Sequence, residues 1–348
     1  MKRIVECVPN ISEGRNEDII KKICRSIENI KNVYLLNVEA DHDYNRTVIT
    51  FVGEPSNIVE AAYYLTETAV ELIDMRKHKG EHPRIGAVDV VPFIPIKNVT
   101  MEECIELANK YGKLVAERLS VPVFLYEYAA RTPSRKNLAN IRKGEYERLA
   151  IKLKDPDWKP DYGEPIFNQK AGAIAVGARK LLIAYNINLN TSNVELADEI
   201  ASQIRESGRI ARNQQGMIIR NGEGNPIKIA GKFKSLKAIG VYLSTLDITQ
   251  VSCNITDFEE TSMHEVYEEV KRLASSNGVS VLGSELVGLV PLEALLKSGR
   301  FYAQDKKLNE RGLILLAVEK LGLNQLKPFN PDKKIIEYLL NNLTREQM

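Results

Sequence analysis

The feature that most limits the folds open to this chain is an order of hydrophobic segments that occurs twice. In the first half, short apolar runs rich in β-branched residues alternate with segments whose apolar residues recur at the 3.6-residue period of a helix. Their order is strand–helix–strand–strand–helix–strand, and the second half repeats it from about residue 181. This is the order of the split βαβ, or ferredoxin-like, unit. We therefore expect an α+β fold of two ferredoxin-like (duplicated split βαβ) subdomains, with helices covering the sheets.

The repeated order predicts particular elements. In the first repeat they are strand 4–8, a helix near 19–27, strands 33–38 and 47–52, a helix near 55–75 and strand 87–91. In the second repeat they are strand 181–185, helix 194–206, strands 238–244 and 248–255, helix 262–275 and strand 279–283. The region between the repeats is predicted to hold helix 101–119 and strand 121–126. Pro92 and Pro95 are predicted to end the last strand of the first repeat, because proline has no N–H to donate.

A length of 348 residues fits about two domains, and the repeats place them at 1–179 and 180–328, followed by a C-terminal tail at 329–348. The 48 basic and 46 acidic residues leave a formal charge of +2. This argues against nucleic acid as a partner, since nucleic-acid-binding domains are usually strongly basic.

The four cysteines are scattered without a C-x-x-C pair, so we expect reduced, buried thiols. The sequence has no long apolar run and no signal-peptide pattern, which predicts a cytoplasmic protein with no membrane partner.

The densest group of chemically active residues is the segment 78–86, HKGEHPRIG, which holds two of the four histidines. Its H-x-x-E-H spacing matches an inverted zincin motif, in which two zinc ligands lie one helical turn apart. Gly80 and Pro83 disfavour the helix that this motif needs, so we expect no metal site. Two interpretations stay open: His82 transfers protons from a glycine-bounded loop near neutral pH, or it is a surface histidine in a basic loop.

Other segments carry weaker signals. Residues 172–179 have the glycine spacing of a phosphate-binding loop but lack its Lys-Ser/Thr, so we expect no nucleotide. Their glycines are predicted to admit a ligand or a neighbouring strand. The turn-rich segment 155–165 contains Trp158, which either packs the loop down or contacts a ligand, and the basic hairpin around 222–226 is a mobile lid or a plain surface loop. No G-x-S-x-G elbow occurs and no cysteine has a nearby histidine, so nucleophilic catalysis is not indicated.

Eight segments of this sequence together resemble the glutamate formimidoyltransferase (formiminotransferase) family. They are 5–14 (VECVPNISEG), 45–47 (NRT), 50–53 (TFVG), 78–84 (HKGEHPR), 130–135 (ARTPSR), 177–180 (GARK), 186–189 (NINL) and 286–291 (LVGLVP). The resemblance implies transfer of a formimino group from N-formimino-L-glutamate to N5 of tetrahydrofolate in histidine degradation, a step of one-carbon metabolism. The products are 5-formimino-tetrahydrofolate and L-glutamate. It also implies two ferredoxin-like subdomains with the substrates between them, a homodimer, and tetrahydrofolate as co-substrate without metal or nucleotide.

The resemblance also implies roles for particular residues. The family's catalytic histidine falls on His82, and Glu39 (where the family often has Asp) or Asp41 is expected to orient its ring as part of the catalytic site. The donor carries two carboxylates, which suit bidentate arginines, and the substrate-binding candidates are Asn10, Arg46, Arg84, Arg131 and Arg135. The family's folate-binding loop falls on ten residues, with glutamine here where proline is common: Gly163, Glu164, Pro165, Ile166, Phe167, Asn168, Gln169, Lys170, Ala171 and Gly172. One imidazole can take the proton that N5 loses and return it to the departing glutamate nitrogen.

Alternatives remain at this point. The runner-up is a related formimidoyl- or formyltransferase that uses formiminoglycine or formylglutamate, or a 5-formyltetrahydrofolate-converting enzyme. A folate-binding protein without activity is an alternative from another class. The cyclodeaminase that is fused to some relatives is not found after the second repeat, so we expect a separate cyclodeaminase downstream. The basic segment 131–154 is expected to attract the γ-glutamate tail of folate.

Overall fold

The computed structural model describes residues 3–213, 215–304 and 306–346. These contain both helices and sheets, so the expected α+β class is confirmed. The chain divides into two compact units, unit 1 (Met1–Lys180) and unit 2 (Leu181–Met348). Among the described residues, no helix combines the length and the apolar character that a membrane span requires. Residues 347 and 348 of the predicted tail lie outside the described residues.

In the described part of unit 1, seven strands form one sheet. The strands are β1 (Ile4–Cys7), β2 (Asn10–Ile11), β3 (Val33–Asp41), β4 (Arg46–Gly53), β5 (Val88–Lys97), β6 (Val123–Glu127) and β7 (Ile174–Ala178). The helices are α1 (Glu17–Arg25), α2 (Ile58–Leu72), α3 (Met101–Leu119), α4 (Leu138–Arg142) and α5 (Leu149–Lys152). The order across the sheet is β3-β4-β1/β2-β5-β7-β6, where β1 and β2 together occupy one place. Pairs from β3 to β5 are antiparallel, and β7 pairs in parallel with β5 and β6.

The described part of unit 2 has an antiparallel sheet of four strands and a separate sheet of two short strands. Its strands are β8 (Ile183–Leu189), β9 (Arg209–Ile210), β10 (Lys228–Ile229), β11 (Leu236–Leu243), β12 (Ile248–Ile255) and β13 (Val281–Val287). Its helices are α6 (Val194–Ile204), α7 (Met263–Ser276), α8 (Leu292–Ala303), α9 (Glu310–Lys320), α10 (Pro331–Lys334) and α11 (Ile336–Glu346). The four-stranded sheet has the order β11-β12-β8-β13. The corresponding strands of unit 1 follow the same order, β3-β4-β1/β2-β5. Helices α8 to α11 were not predicted.

Local side-chain chemistry sets the start of two helices. Thr100 accepts a hydrogen bond from the backbone N–H of Glu103, and the Glu103 side chain accepts from the Thr100 N–H, which is a capping box. Ser262 and Glu265 form the corresponding reciprocal pair at the start of α7. The predicted helix 101–119 therefore coincides with α3.

The prediction that proline ends the last strand of the first repeat is wrong. Strand β5 continues to Lys97 through both Pro92 and Pro95. Pro92 lies opposite the gap between β1 and β2, where the antiparallel ladder is interrupted. Strand β7 pairs with β5 only as far as Phe93, so Pro95 has no strand neighbour on that side. The missing N–H groups thus fall where the ladder does not need them.

Unit 1 packs apolar side chains on both faces of its sheet. Helices α2 and α3 cover one face, where Phe51, Phe93 and Tyr111 are fully buried. Side chains alternate between the faces along a strand, and those of β6 and β7 that face the other way form a second cluster. That cluster includes Phe124 and Tyr126 and anchors the segment 138–158, which contains α4 and α5.

Candidate active site

The loop between α2 and β5 carries both histidines of the segment 78–86. These residues are not helical, so the helical form of the H-x-x-E-H motif does not exist here. Among the described residues, no group of three or more His, Cys, Asp or Glu side chains could hold a metal ion. Gly80 lies against the turn between β3 and β4, since a Cβ there would be 2.3 Å from the carbonyl oxygen of Tyr44. Nδ2 of Asn45 in that turn donates to the carbonyl of Lys79 at 2.9 Å, which joins the turn to the histidine loop.

His82 contacts the predicted substrate-binding residue Arg46, which in turn contacts Asn10. Its Nε2 lies 3.2 Å from Nη1 of Arg46, and the same Nη1 donates to Oδ1 of Asn10 at 2.9 Å. The ring of Tyr44 lies beside both, 6.0 Å from the His82 ring and 5.5 Å from the Arg46 guanidinium carbon. A guanidinium only donates hydrogen bonds, so we assign Nε2 of His82 as the acceptor and place the ring proton on Nδ1.

The surroundings of His82 keep its ring uncharged. Burial lowers the pKa of His82 well below the usual histidine range, and the positive charges of Arg46 and Arg142 lower it further. Arg84 and His78 act in the same direction. At neutral pH the ring is therefore a neutral imidazole, which is the form that accepts a proton.

His78 is held on both ring nitrogens. Its Nε2–H donates to the carbonyl of Asn45 at 2.8 Å, and its Nδ1 accepts from Nε of Arg84 at 3.1 Å. Burial is the main cause of its lowered pKa. A neutral ring with both nitrogens engaged serves to fix the loop, whereas Nδ1 of His82 has no hydrogen-bond partner among the described residues.

Arg84, predicted as a carboxylate binder for the substrate, is paired with carboxylates of the protein. Its Nη1 donates to Glu145 at 2.8 Å, and its Nη2 donates to Glu147 at 2.6 Å. Its Nε donates to His78, and the side chain is only 7% exposed. The structure thus places Arg84 as a clamp between the histidine loop and the segment 142–148, and does not leave its donors open to a ligand.

The two remaining predicted arginines, Arg131 and Arg135, contact the turn-rich segment 155–165 and are not in contact with His82 among the described residues. Arg135 is buried, donating to Oδ2 of Asp161 at 2.8 Å and to the carbonyl of Lys159 at 2.7 Å. Arg131 is half exposed and stacks on the ring of Tyr162, 4.6 Å from its centroid. Both side chains hold this segment in place. Trp158 packs edge-on against Phe124 within the same region, as one of the two interpretations expected.

The predicted carboxylate partners of His82 make other contacts. Oδ1 of Asp41 accepts from the backbone N–H of Tyr44 at 2.8 Å, which stabilises the turn between β3 and β4. Oε2 of Glu39 accepts from Nδ2 of Asn37 at 3.4 Å. Within the described residues no hydrogen bond joins either carboxylate to His82, so the orienting role of Glu39 or Asp41 stays a prediction.

The predicted folate loop, 163–172, is attached to the histidine loop through two glycines. A Cβ at Gly172 would be 2.2 Å from the carbonyl oxygen of Ile85, and Gly86 lies equally close to the backbone at 171–173. The N–H of Ala87 donates to the carbonyl of Ala171 at 2.8 Å. The loop's outer part is exposed, with Ile166 70% accessible. The histidine loop and the predicted folate loop are thus packed against each other in unit 1.

Other loop residues are tied to the surrounding protein. The ring of Phe167 lies 5.4 Å from that of Tyr146, whose hydroxyl donates to the carbonyl of Gln169 at 2.5 Å. Nζ of Lys170 donates to the carbonyl of Glu71 at the end of α2. Several residues of the loop are therefore held by contacts within the protein.

Sequence reasoning missed Asp89 and did not connect Arg142 to the site. Asp89 is 2% exposed, accepts from the N–H of Ile85 at 2.9 Å and forms an ion pair with Arg142. Partners 53 positions apart leave no local signal. The glycine spacing at 172–179 has a structural cause, because a Cβ at Gly177 would meet the ring of Tyr126 at 2.5 Å. The neighbouring strand, and not a phosphate, explains that glycine.

Comparison with known proteins finds two matching family profiles and several relatives. The profile described as "Formiminotransferase domain, N-terminal subdomain" matches residues 4–179, and "Formiminotransferase domain" matches residues 184–341. A formimidoyltransferase-cyclodeaminase of Mus musculus is 48% identical over 350 residues, covering all of this chain and 62% of the relative. The chain thus spans about three fifths of that protein's length.

Two shorter relatives are covered almost completely. A glutamate formimidoyltransferase of Streptococcus pyogenes is 43% identical over 304 residues, which are 87% of this chain and 94% of the relative. A glutamate formimidoyltransferase of Thermoplasma acidophilum is 41% identical over 319 residues, 91% of this chain and 98% of the relative.

Proposed function

This chain belongs to the formiminotransferase family, and we propose that it transfers the formimino group of N-formimino-L-glutamate to N5 of tetrahydrofolate. The two relatives named glutamate formimidoyltransferase, which it matches over most of their length, support this reaction. The observation that carries the proposal is the contact of neutral His82 with Arg46, which also binds Asn10, in a loop packed against residues 163–172. A proton acceptor, a carboxylate binder and a folate loop are the three parts that the reaction needs.

The proposed reaction exchanges one C–N bond for another. The lone pair of N5 attacks the carbon of the protonated formimino group, and the C=N π pair moves to the terminal nitrogen. The tetrahedral intermediate carries three nitrogens on one carbon. When the bond to the glutamate nitrogen breaks, its electron pair stays on that nitrogen, and the C=N double bond forms again. The proton that leaves N5 ends on glutamate, so the net proton balance is zero.

His82 is proposed to carry that proton. As a neutral imidazole it takes the proton from N5, and as the resulting cation it gives the proton to the departing nitrogen. A positioned general acid–base of this kind typically contributes about 10²–10⁴ in rate. The positive charge of the neighbouring Arg142 makes the imidazolium unfavourable, so the proton is returned readily. The protonated formimino group is already electrophilic, and this route uses no metal.

Arg46 is the proposed anchor for a donor carboxylate. Its Nε–H is buried and has no hydrogen-bond partner among the described residues. An unsatisfied buried donor costs roughly 1–3 kcal/mol, and a carboxylate oxygen would satisfy it. Asn10, which shares Nη1 of Arg46 with His82, positions the guanidinium.

We further propose that the loop 163–172 binds tetrahydrofolate as co-substrate, since its contact with Gly86 brings it to the histidine loop. The common strand order β3-β4-β1/β2-β5 and β11-β12-β8-β13 supports two ferredoxin-like subdomains related by duplication. We also propose a homodimer in the cytoplasm. The names of the longer relatives support a cyclodeaminase as the enzyme that uses the product.

A donor panel tests the proposed function. The full chain is incubated with tetrahydrofolate and, in parallel, formiminoglutamate, formiminoglycine or formylglutamate, and the folate product is identified by mass. We expect the 5-formimino adduct from formiminoglutamate at the highest rate. Absence of that adduct, or faster transfer from formylglutamate, would overturn the assignment in favour of a related transferase or a folate-binding protein.

A further inference from the structure

Arg46 donates a hydrogen bond to the ring nitrogen of His82 that would act as the base. Its Nη1 donates to Nε2 of His82 at 3.2 Å and to Oδ1 of Asn10 at 2.9 Å. In this arrangement the lone pair of Nε2 accepts a hydrogen bond from the guanidinium, so it is not available to accept a proton. The other ring nitrogen, Nδ1, carries the proton and is not a base. His82 is therefore blocked as a base while Arg46 stays in this position.

We propose that Arg46 gates His82: the α-carboxylate of the donor draws the guanidinium away from Nε2 and so frees the ring to accept a proton. This inference rests on the proposed function and assigns one of the two donor carboxylates to one arginine. It makes Arg46 both a substrate-binding residue and a residue that determines specificity. A molecule without a carboxylate next to its formimino nitrogen would leave the gate closed.

The unsatisfied Nε–H indicates that Arg46 has binding capacity left. Arg84, Arg135 and Arg142 are each paired with carboxylates of the protein. Arg46 has no ion pair with a carboxylate among the described residues, and its Nε is buried without a partner. A carboxylate carries a negative charge and accepts two hydrogen bonds from one guanidinium, whereas Nε2 of His82 is uncharged and accepts one. A carboxylate contact therefore competes well with the guanidinium–imidazole contact.

The covalent structure of the donor identifies the carboxylate. In formiminoglutamate a single carbon separates the α-carboxylate from the nitrogen that must leave. Nη1 of Arg46 starts 3.2 Å from Nε2 of His82, so a guanidinium that moves only far enough to break this contact still holds the carboxylate, and the leaving nitrogen, within reach of the ring. Three carbons separate the side-chain carboxylate from the same nitrogen, so that carboxylate does not place the nitrogen beside His82.

The same event changes the charge that His82 experiences. The charged and titratable groups acting on its ring come from each neighbouring element: Tyr44 before β4, Arg46 in β4, Arg142 in α4, and His78 and Arg84 in its own loop. The three arginines favour the neutral ring. A bound carboxylate neutralises Arg46 and moves it away, so the pKa of His82 rises when the donor or the product glutamate binds.

The titration of His82 is the direct test, and it needs no turnover. The imidazole resonances of the full chain, labelled in histidine, are followed by NMR against pH with and without saturating L-glutamate. In the wild type, L-glutamate should shift the His82 midpoint upward. In Arg46→Gln the midpoint should already be higher without L-glutamate and should no longer respond. Arg25→Gln, an exposed arginine in the last turn of α1, is the matched control and should respond like the wild type.

Failure of the gate is distinguishable from failure of the proposed function. An unchanged His82 midpoint in wild type with L-glutamate, or an unchanged response in Arg46→Gln, overturns the gate. Arg46→Lys keeps the charge but loses the bidentate fork. It replaces the glutamine variant if that variant does not fold, and L-glutamate should then shift the His82 midpoint less than in the wild type. With N-formimino-4-aminobutyrate, which lacks the α-carboxylate, we expect kcat to fall by about 10² or more, as for loss of a general base. Equal kcat for both donors overturns the gate but supports formimino transfer.

Discussion

Replacing Gly86 by alanine tests whether the contact between the histidine loop and the folate loop supports the active site. A Cβ at Gly86 would be 2.2 Å from the carbonyl oxygen of Ala173 and 2.6 Å from that of Ala171. Both are backbone atoms, which cannot turn aside as the end of a flexible side chain can. The two segments must therefore separate to admit the methyl group.

The size of the effect follows from the contacts that the separation disturbs. The N–H of Ala87 donates to the carbonyl of Ala171 at 2.8 Å, and the N–H of Ala173 donates to that of Ile85 at 3.0 Å. Each such bond contributes about 1 kcal/mol net, and an extra methyl group in a filled site costs about 1–3 kcal/mol. We expect unit 1 to lose ~3–5 kcal/mol of unfolding free energy, which lowers the midpoint of a unit of this size by roughly 10 °C.

Thermal unfolding and kinetics of the full chain provide the assay. The control is Gly222→Ala in the exposed hairpin, where an added Cβ meets nothing within 4 Å, and we expect its midpoint and kcat to equal those of the wild type. Gly86→Ala should unfold at lower temperature and bind tetrahydrofolate more weakly while still folded. If both variants unfolded at the same temperature, the reasoning from the glycine contact would be refuted.

Further expected outcomes concern one ion pair, the decrease of the unfolding free energy at acid pH and one basic segment. Arg84→Gln should lower the unfolding free energy in urea by about 2 kcal/mol, less than the ~3–5 kcal/mol of a fully buried pair, because its carboxylate partners are 41% and 58% exposed. The pKa values of His78 and His264 are lowered by burial, so below about pH 6.5 the unfolded chain binds more protons than the folded one. The unfolding free energy should therefore fall as the pH drops from about 6.5, by at most ~1.4 kcal/mol per pH unit for each histidine. The fall should be shallower in His78→Gln than in the exposed-site control His42→Gln, and parallel curves would contradict this. The segment 131–154 should favour polyglutamyl over monoglutamyl tetrahydrofolate at low salt and lose that preference at moderate salt, whereas equal affinities at both salt concentrations would argue against it.

Helices and strands could be predicted where the local sequence contains their cause. The capping box of Thr100 and Glu103 and the apolar period that follows it are local, and α3 has the predicted bounds. Strand β5 extends beyond its predicted end because the effect of a proline on a strand depends on the neighbouring strand. Pro92 is tolerated only because β1 and β2 leave a gap opposite it, and no pattern within β5 reports that gap.

The candidate site was predictable in its residue types but not in its pairings. Four arginines are equally suited to a carboxylate when only their chemistry is known. In the structure Arg84 is engaged by two glutamates about sixty positions away, and Arg135 by Asp161. Arg46 alone among the four meets His82 in the described residues. Tertiary packing determines which carboxylate each arginine contacts. The sequence therefore identifies the candidate arginines but does not show which of them lies beside His82.

The central claim is that His82 carries the transferred proton and that His78 fixes the loop. Its most direct measurement is kcat of formimino transfer in His82→Ala and His78→Ala, with tetrahydrofolate binding measured on the same samples. Loss of a general acid–base predicts a fall of about 10²–10⁴ in kcat for His82→Ala with folate affinity little changed. His78→Ala, which loses bonds to Asn45 and Arg84, should lower stability and cost far less in kcat. Equal losses of kcat in the two variants, or near wild-type kcat in His82→Ala, would contradict the account.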